Sequence, residues 1–312
     1  MSIAPLEGVV TGEPLVYYVS QSEVDSRLSC KRKHFYSFGF RHPNYPGTTG
    51  LQSTHHSDSL TRGTVGHKVL EDYYTAIKQG HSQPSAFILA RDAHIKRMGE
   101  NPDRAEIYSE VLKYFTEYAD FYKSEEYEPL LLEHTFEYVI HPDTIFPFTP
   151  DGIFKHKATG KIYIVDHKFL YRFYQDRVFP ILPQMLRYAT ALRYMGYQVD
   201  GYIYNMISTD KRAVNRFKRH TVDFGKTHEI KMVKVWNEML VTIQEIIEDK
   251  LKHIEDWENS AVRNMSSFSC ANCPFLELCV AELEEQNGIG LMVGQFYESN
   301  KYGYGKVEIE DV

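Results

Sequence analysis

The four cysteines place the strongest constraint on how this chain can fold. Cys30 stands near the front, whereas Cys270, Cys273 and Cys279 fall within ten residues near the end. Paired disulfides are the rule in small secreted domains. The leading segment MSIAPLEGVVTGEPLVYY has no basic stretch followed by an apolar block, however, so export is not expected. In an intracellular chain a C-x2-C pair points to metal binding or redox chemistry. One centre held by all four thiolates accounts for the set, and such a donor set suits either Zn²⁺ or an Fe–S cluster. The lack of a second close pair argues against an ordinary zinc ribbon. The centre joins ligands 270 − 30 = 240 positions apart, so the fold must return its C-terminal segment to its first helix.

With 43% hydrophobic and 25% charged residues among 312, wholesale disorder is excluded and a sizeable core is available. Lys+Arg minus Asp+Glu is 35 − 42 = −7, which excludes coating nucleic acid by bulk charge but leaves room for a local basic groove. No apolar run approaches the roughly 18 residues of a membrane span. The expectation is a soluble, cytoplasmic protein without a membrane partner.

Periodicity sets out the elements. Residues 21–38 read as one helix capped by Ser22, with Val24, Leu28 and Phe35 on its buried face. Residues 41–60, rich in Pro, Gly, Ser, Thr and His, read as a long loop. Helices follow at 62–79, ended by Gly80, and at 103–124, where Ile107, Val111, Tyr114, Phe115, Tyr118 and Phe121 recur at helical spacing. The period then shortens. Strands are expected at 130–140, 147–156 and 161–170, the last two joined through Ala158-Thr159-Gly160 as a hairpin. A helix at 183–195 stopped by Gly196, strands at 199–208 and 216–224, and a helix at 226–258 complete the pattern. That last helix carries Ile230, Val233, Leu240, Ile243, Ile247, Leu251 and Ile254 as its stripe.

The candidate chemistry gathers on the third strand. Side chains alternate along a strand, so Asp166 and Lys168 share one face and His167 takes the other. Such a pair is either a surface ion pair of small worth or a working site. Asp151, in Pro150-Asp151-Gly152, lies across the predicted hairpin, and a splayed hairpin brings both carboxylates to one point. Two hard oxygen donors beside a lysine suit Mg²⁺ or Mn²⁺ and phosphate chemistry. His67 and Glu71 share a face of the 62–79 helix, and Gln184 and Tyr188 share a face of the 183–195 helix.

Taken in order, His67 in GTVGHKVLE, Asp151 in PDGI, Asp166-His167-Lys168 in IVDHK and Gln184-x-x-x-Tyr188 resemble the PD-(D/E)XK nuclease superfamily. The likeness is closest to its RecB-like branch, which includes the CRISPR-associated RecB-type exonucleases and the AddAB nuclease domains. The matched motifs span residues 30–279; each is short, and specificity lies in the ordered set. The resemblance implies an α/β fold: a restriction-endonuclease-like core, a central mixed sheet flanked by helices, with helical N- and C-terminal extensions clamped by a four-cysteine cluster. It implies Mg²⁺ or Mn²⁺ held by Asp151, Asp166, His67 and the backbone carbonyl of His167. It makes Lys168 the catalytic lysine and sets Gln184 and Tyr188 at the edge of the active site. Asp166 stands where many relatives have Glu and keeps the carboxylate. That branch often holds a [4Fe–4S] cluster on one early cysteine and a later C-x2-C-x5-C group, which Cys30 and Cys270, Cys273 and Cys279 match. Glu71 and Glu133 are extra candidates for ligands.

The implied activity is hydrolysis of DNA phosphodiesters, by exonuclease action on linear or single-stranded DNA in recombination, repair or phage DNA processing. No G-x-x-x-x-G-K-[ST] motif occurs, so unwinding falls to a helicase or recombination partner. Residues 1–286 are expected to form one nuclease domain, in three parts: helical 21–125, core sheet 130–224, and 226–286 with the last helix and cysteines. The Gly- and Tyr-rich tail 287–312 is expected to be partly disordered. Two basic clusters, Lys31-Arg32-Lys33-His34 and Lys211-Arg212 with Arg216, Lys218 and Arg219, are solvated faces or phosphate rails. The rival of another class is a non-catalytic module that binds DNA or a partner through a nuclease-like fold; the intact Asp-Asp-Lys set argues against it. A zinc-stabilised nuclease acting on RNA is the enzymatic rival.

Overall fold

The computed structural model of the chain describes residues 16–40, 50–54, 57–285 and 289–299. Strand β1 (Tyr17–Tyr18) leads into helix α1 (Gln21–Ser29). Ser20 rather than Ser22 caps that helix, its hydroxyl accepting the Glu23 N–H at 3.3 Å. The single helix expected over 21–38 is broken. Cys30 is extended, at φ −166° and ψ 121°, and the chain restarts as α2 (Lys31–His34) running into a π-helical turn, Phe35–Gly39. The break separates two cores: Val24 packs in the main one, while Phe35 and Tyr36 pack with Trp257 and Phe275. Leu28, expected inside, is 57% exposed.

Within the stretch read as a loop over 41–60, β2 (Leu51–Ser53) is a strand and α3 (Asp58–Lys78) has already begun, capped by Ser57. Residues 41–49, 55 and 56 lie outside the described residues. Gly80 ends the α3 segment at φ +91°, as expected. Helix α4 (Gln83–Glu100) was not anticipated, because its buried face is only Ala86, Ala90 and His94. Helix α5 (Ala105–Phe121) buries the expected stripe up to Tyr118, leaving Phe121 exposed.

The strand expected over 130–140 is two strands, β3 (Tyr127–Leu132) and β4 (Phe136–His141), parted at Glu133, whose φ is +44°. The strand expected over 147–156 is likewise β5 (Thr144–Phe148) and β6 (Gly152–His156). β7 (Ile162–Leu170) follows the predicted turn and pairs antiparallel with β6. Helix α6 (Pro183–Tyr194) then crosses to β8 (Gly201–Ser208), parallel to β7, and β9 (Phe217–Asp223) closes the edge. The central sheet is therefore mixed, in the order β3-β6-β7-β8-β9, and β1-β5-β4 forms a smaller sheet beside it.

All eight residues of β8 are buried, as expected for a strand covered on both faces. Tyr202, Tyr204 and Met206 pack against α6 and α7 (Lys226–Leu251), whereas Ile203 and Ile207 pack against α3 and α5. Gly201 opens this strand where a Cβ would lie 2.1 Å from the Val222 carbonyl oxygen. Gly201→Ala must push β9 away, and a loss of about 1–3 kcal/mol is expected in urea unfolding. A midpoint equal to wild type would show that the β8–β9 pair can spread.

The helix expected over 226–258 breaks at Lys252, after which α8 (Ile254–Ser260) begins. The buried face of α7 is Met232, Trp236, Met239, Ile243 and Ile246, with Thr242 and Asp249, so Ile230, Val233 and Leu251 face outward. Methionine and tryptophan carry this stripe, and a reading weighted to branched aliphatics misses its phase. Short helices α9 (Ser267–Ala271) and α10 (Leu276–Leu283) hold the late cysteines. Of the tail expected to be partly disordered, 289–299 form α11 (Ile289–Phe296) and β10 (Tyr297–Ser299), which pairs with β2; residues 300–312 lie outside the described residues. Among the described residues no helix is long and apolar enough to cross a membrane.

Candidate active site

The β6–β7 ladder ends at Gly152 and Val165, so the β7 backbone beyond Val165 has no strand partner on that side. Asp151 supplies one with its side chain: Oδ2 accepts the His167 N–H at 2.5 Å. A hairpin that splays at this point carries Asp151 toward the segment bearing Asp166. The Asp151 carbonyl in turn accepts the Glu133 N–H at 3.2 Å, tying the end of β3 to the same place.

Helix α3 reaches the site because Gly66 presents no side chain to the Phe169 ring; a Cβ there would lie 2.2 Å from it. The close approach sets His67 Nδ1 3.3 Å from Asp151 Oδ1. His67, Glu133 and Asp151 each offer a ligand atom within 4.8 Å of the others. Glu71, the other candidate on α3, instead accepts from Lys68 at 2.7 Å.

Asp166 and Lys168 share a face, as alternation requires, and Lys168 Nζ donates to Asp166 Oδ1 at 2.8 Å. The other oxygen, Oδ2, is buried and has no hydrogen-bond partner among the described residues. Burial raises the Asp166 pKa to about 6, Lys168 opposing and the Asp151 charge adding to the rise. Asp151 itself is held below the usual carboxylate range: burial works against this, but the His67 hydrogen bond and charge prevail. Burial and the Asp151 charge lift Glu133 to about 7. The Asp151 and Glu133 carboxyl groups thus meet His67 in one half-buried place, an arrangement that favours a divalent cation, while Asp166 lies beside this close group and not within it. The orphan Asp166 oxygen is a donor of the hard type that Mg²⁺ and Mn²⁺ take, and the residues fit such an ion.

On α6, Gln184 Nε2 lies 3.4 Å from the Tyr188 hydroxyl. Burial pushes the Tyr188 pKa up to about 12, the Gln184 bond opposing and the Asp166 and Asp151 charges adding to the rise. The His167 ring points to the opposite face, stacked on Tyr74 with its Nδ1 2.7 Å from Asn205 Nδ2. Burial lowers its pKa to about 3, so it is neutral and structural, and only its backbone borders the site. Asn205 also donates to Tyr118, which with Tyr74 and Glu125 surrounds buried Arg219.

That buried network corrects the basic cluster at 211–219. Arg219 pairs with Glu125 at 2.6 Å and Arg216 with Glu117 at 2.7 Å, both arginines largely enclosed. Lys211 pairs with Glu110 and Lys218 with Asp176, each at 2.6 Å, and Arg212 with Asp210 at 3.5 Å, so the side chains of Lys211 and Arg212 stay largely exposed. Arg216 and Lys211 thus tie the sheet edge to α5, and the two arginines at 216 and 219 are removed from the exposed face of the cluster. Arg32 is likewise buried against Glu258 and Glu282, whereas Lys31 is exposed and Lys33 half-exposed.

Cys30, Cys270, Cys273 and Cys279 are all free thiols and line one cavity of about 320 Å³ with Arg32, Tyr36, Arg263 and Phe275. The extended break at Cys30 and the α9–α10 turn bring the early cysteine and the three late ones to this cavity.

Glu133 is the residue that sequence reasoning undervalued, because it was read as mid-strand. An acidic residue closing the apolar run Leu130-Leu131-Leu132 was the available signal that the strand stops there.

The model of the PD-(D/E)XK nuclease superfamily matches residues 18–280. Among solved structures, the chain is similar to a candidate exonuclease from Eubacterium rectale at 10% identity, with 82% of this chain and 88% of that one covered and a TM-score of 0.45. It is also similar to the protein SSO0001 at 11% identity, over 60% of this chain and 80% of that one, with a TM-score of 0.31. No curated protein matches the chain.

Proposed function

Because the chain belongs to the PD-(D/E)XK nuclease superfamily, we propose that it is a metal-dependent deoxyribonuclease of the RecB-like branch, acting as an exonuclease on linear or single-stranded DNA. The observation that carries this reading is the Asp166 carboxylate: Oδ1 is bonded to Lys168, and Oδ2 is buried without a partner beside Asp151 and His67. In this reading the buried, unpartnered oxygen is kept for a ligand.

In this reading Asp151, Asp166, His67 and the His167 carbonyl hold Mg²⁺ or Mn²⁺. When bound, such a cation polarises a phosphate oxygen and lowers the pKa of a water. Lys168 stays protonated, since burial opposes its charge but Asp166 outweighs that, and it neutralises charge building on the phosphate. Asp166 aims the ammonium. Gln184 and Tyr188 donate hydrogen bonds to the scissile strand from α6. The same reading takes residues 1–286 as one nuclease domain, with a helicase or recombination protein supplying unwound strand. Its place is recombination, repair or phage DNA processing.

The four cysteines are read as ligands of a [4Fe–4S] cluster. What supports this is the lining of one cavity by all four sulfurs, with no second close cysteine pair in the chain as a zinc ribbon would have. The exposed Lys31 beside Cys30 and its neighbour Lys33 are the phosphate contacts of choice.

The test is digestion of end-labelled linear and closed circular DNA, single- and double-stranded, with Mg²⁺ or Mn²⁺ and with EDTA, using anaerobically purified protein. Linear DNA is expected to be degraded only with metal, and circles to be spared. Cut circles would make it an endonuclease. No cleavage by folded, metal-loaded protein would favour a DNA-binding module instead.

A further inference from the structure

The link between α8 and α9 aims two N–H groups at sulfur. Arg263 Nε donates to Cys279 Sγ at 3.3 Å, and the Asn264 backbone N–H donates to Cys30 Sγ at 3.4 Å. Nη2 of the same Arg263 guanidinium donates to Glu282 Oε2 at 2.7 Å, an oxygen that also accepts from Arg32 Nε at 3.0 Å and the Tyr36 hydroxyl at 2.5 Å. The link is stitched to the N-terminal segment on both sides of Cys30: Asn264 Nδ2 donates to the Ser29 carbonyl at 2.8 Å, and the Arg32 N–H to the Val262 carbonyl at 3.3 Å. Residues 262–264 therefore touch one thiol from each end of the chain.

We infer that Arg263, assisted by the Asn264 backbone N–H, is the positioning residue of the four-cysteine centre, orienting Cys279 and Cys30 and tying Cys279 to the Glu282 carboxylate. The inference rests on the reading of the four cysteines as one metal centre. An N–H aimed at a ligating sulfur fixes the direction in which that side chain is held, as outer partners of metal ligands do. A cation in the same place offsets the negative charge that the ligands share. A guanidinium presents one nitrogen to sulfur and another to a carboxylate; a lysine keeps the charge and loses the bridge. Outer partners of this kind typically govern metal retention by 10–100-fold, and hydrogen bonds to the sulfurs set the potential of a cluster.

The experiment compares full-length wild type, Arg263→Lys and Arg263→Gln, purified anaerobically. Iron and zinc are counted first, then loss of metal to a chelator is followed in time, and the reduction potential is measured where iron is present. Arg263→Gln is expected to lose metal about tenfold faster, and its potential to move to more negative values because a positive charge has left the sulfurs. Arg263→Lys is expected to keep a near-native potential with an intermediate rate of loss. Equal loading with a wild-type rate and potential in Arg263→Gln overturns the role of Arg263 and leaves the metal centre standing. Zinc in place of iron leaves the rate of loss to decide. Wild type that takes up neither metal overturns the metal centre and this inference together. Should Arg263→Gln fail to fold by circular dichroism, Arg263→Lys decides, a wild-type rate of loss again overturning the assignment.

Discussion

Asp166→Asn is expected to lower DNA cleavage about a thousandfold while leaving the fold as stable as wild type, or more stable, in EDTA. The two halves of this result come from the same geometry. Asp166 is buried with one oxygen unpartnered, and burial together with the Asp151 charge makes its ionised form costly. An amide removes that charge. Lys168, with 27% of its side chain exposed, can turn to water when its partner is lost. On the proposed reading, the ionised Asp166 gives up stability to be ready for a cation. Lys168→Ala should lose activity to a similar degree without loss of structure. Initial rates on end-labelled DNA and urea midpoints in EDTA check both variants. If Asp166→Asn unfolds at much lower urea than wild type, residues 166–168 are a structural ion pair and the catalytic assignment falls.

Cys30→Ser is expected to have the largest effect on stability. If the four cysteines share one metal centre as proposed, the cross-link between residues 30 and 270 closes a loop of roughly 240 residues, and the chain-entropy relation assigns it on the order of 5 kcal/mol. Other contacts keep the N-terminal segment from coming free. Arg27 pairs with Asp249 at 2.8 Å and Lys250 with Glu23 at 2.9 Å, while the Phe35 and His34 rings pack on Trp257. The variant should therefore fold, unfold at markedly lower denaturant, and lose metal. Helix α1 also holds α6 through Asp25 and Arg187 at 3.0 Å, and α6 carries Gln184 and Tyr188. DNA binding should accordingly weaken before the rate per bound molecule falls. Equal unfolding midpoints for Cys30→Ser and metal-loaded wild type would rule out the clamp.

The sequence by itself determined the working parts that depend on local spacing. Alternation along 161–170 assigned Asp166 and Lys168 to one face and His167 to the other, and the β6–β7 hairpin followed from its turn. The order of motifs pointed to the superfamily that matches residues 18–280. Elements whose burial comes from unusual residues were lost. Helix α4 packs through alanines, and the α7 stripe runs on Met232, Trp236 and Met239, so neither announced itself as an aliphatic period. Where one strand had to be divided in two, at Glu133 and at Asp151, the break comes from the sheet running out of partners, a fact of pairing that no single strand carries.

Tertiary structure alone decided which charges are available. Arg216 and Arg219 read as surface charge in the chain, but Glu117 and Glu125 from distant segments enclose them. Glu133 entered the site because its backbone N–H meets the Asp151 carbonyl and its carboxyl group comes near His67. Charge is legible residue by residue; its desolvation and its partner depend on elements a hundred positions away, and only packing brings those together.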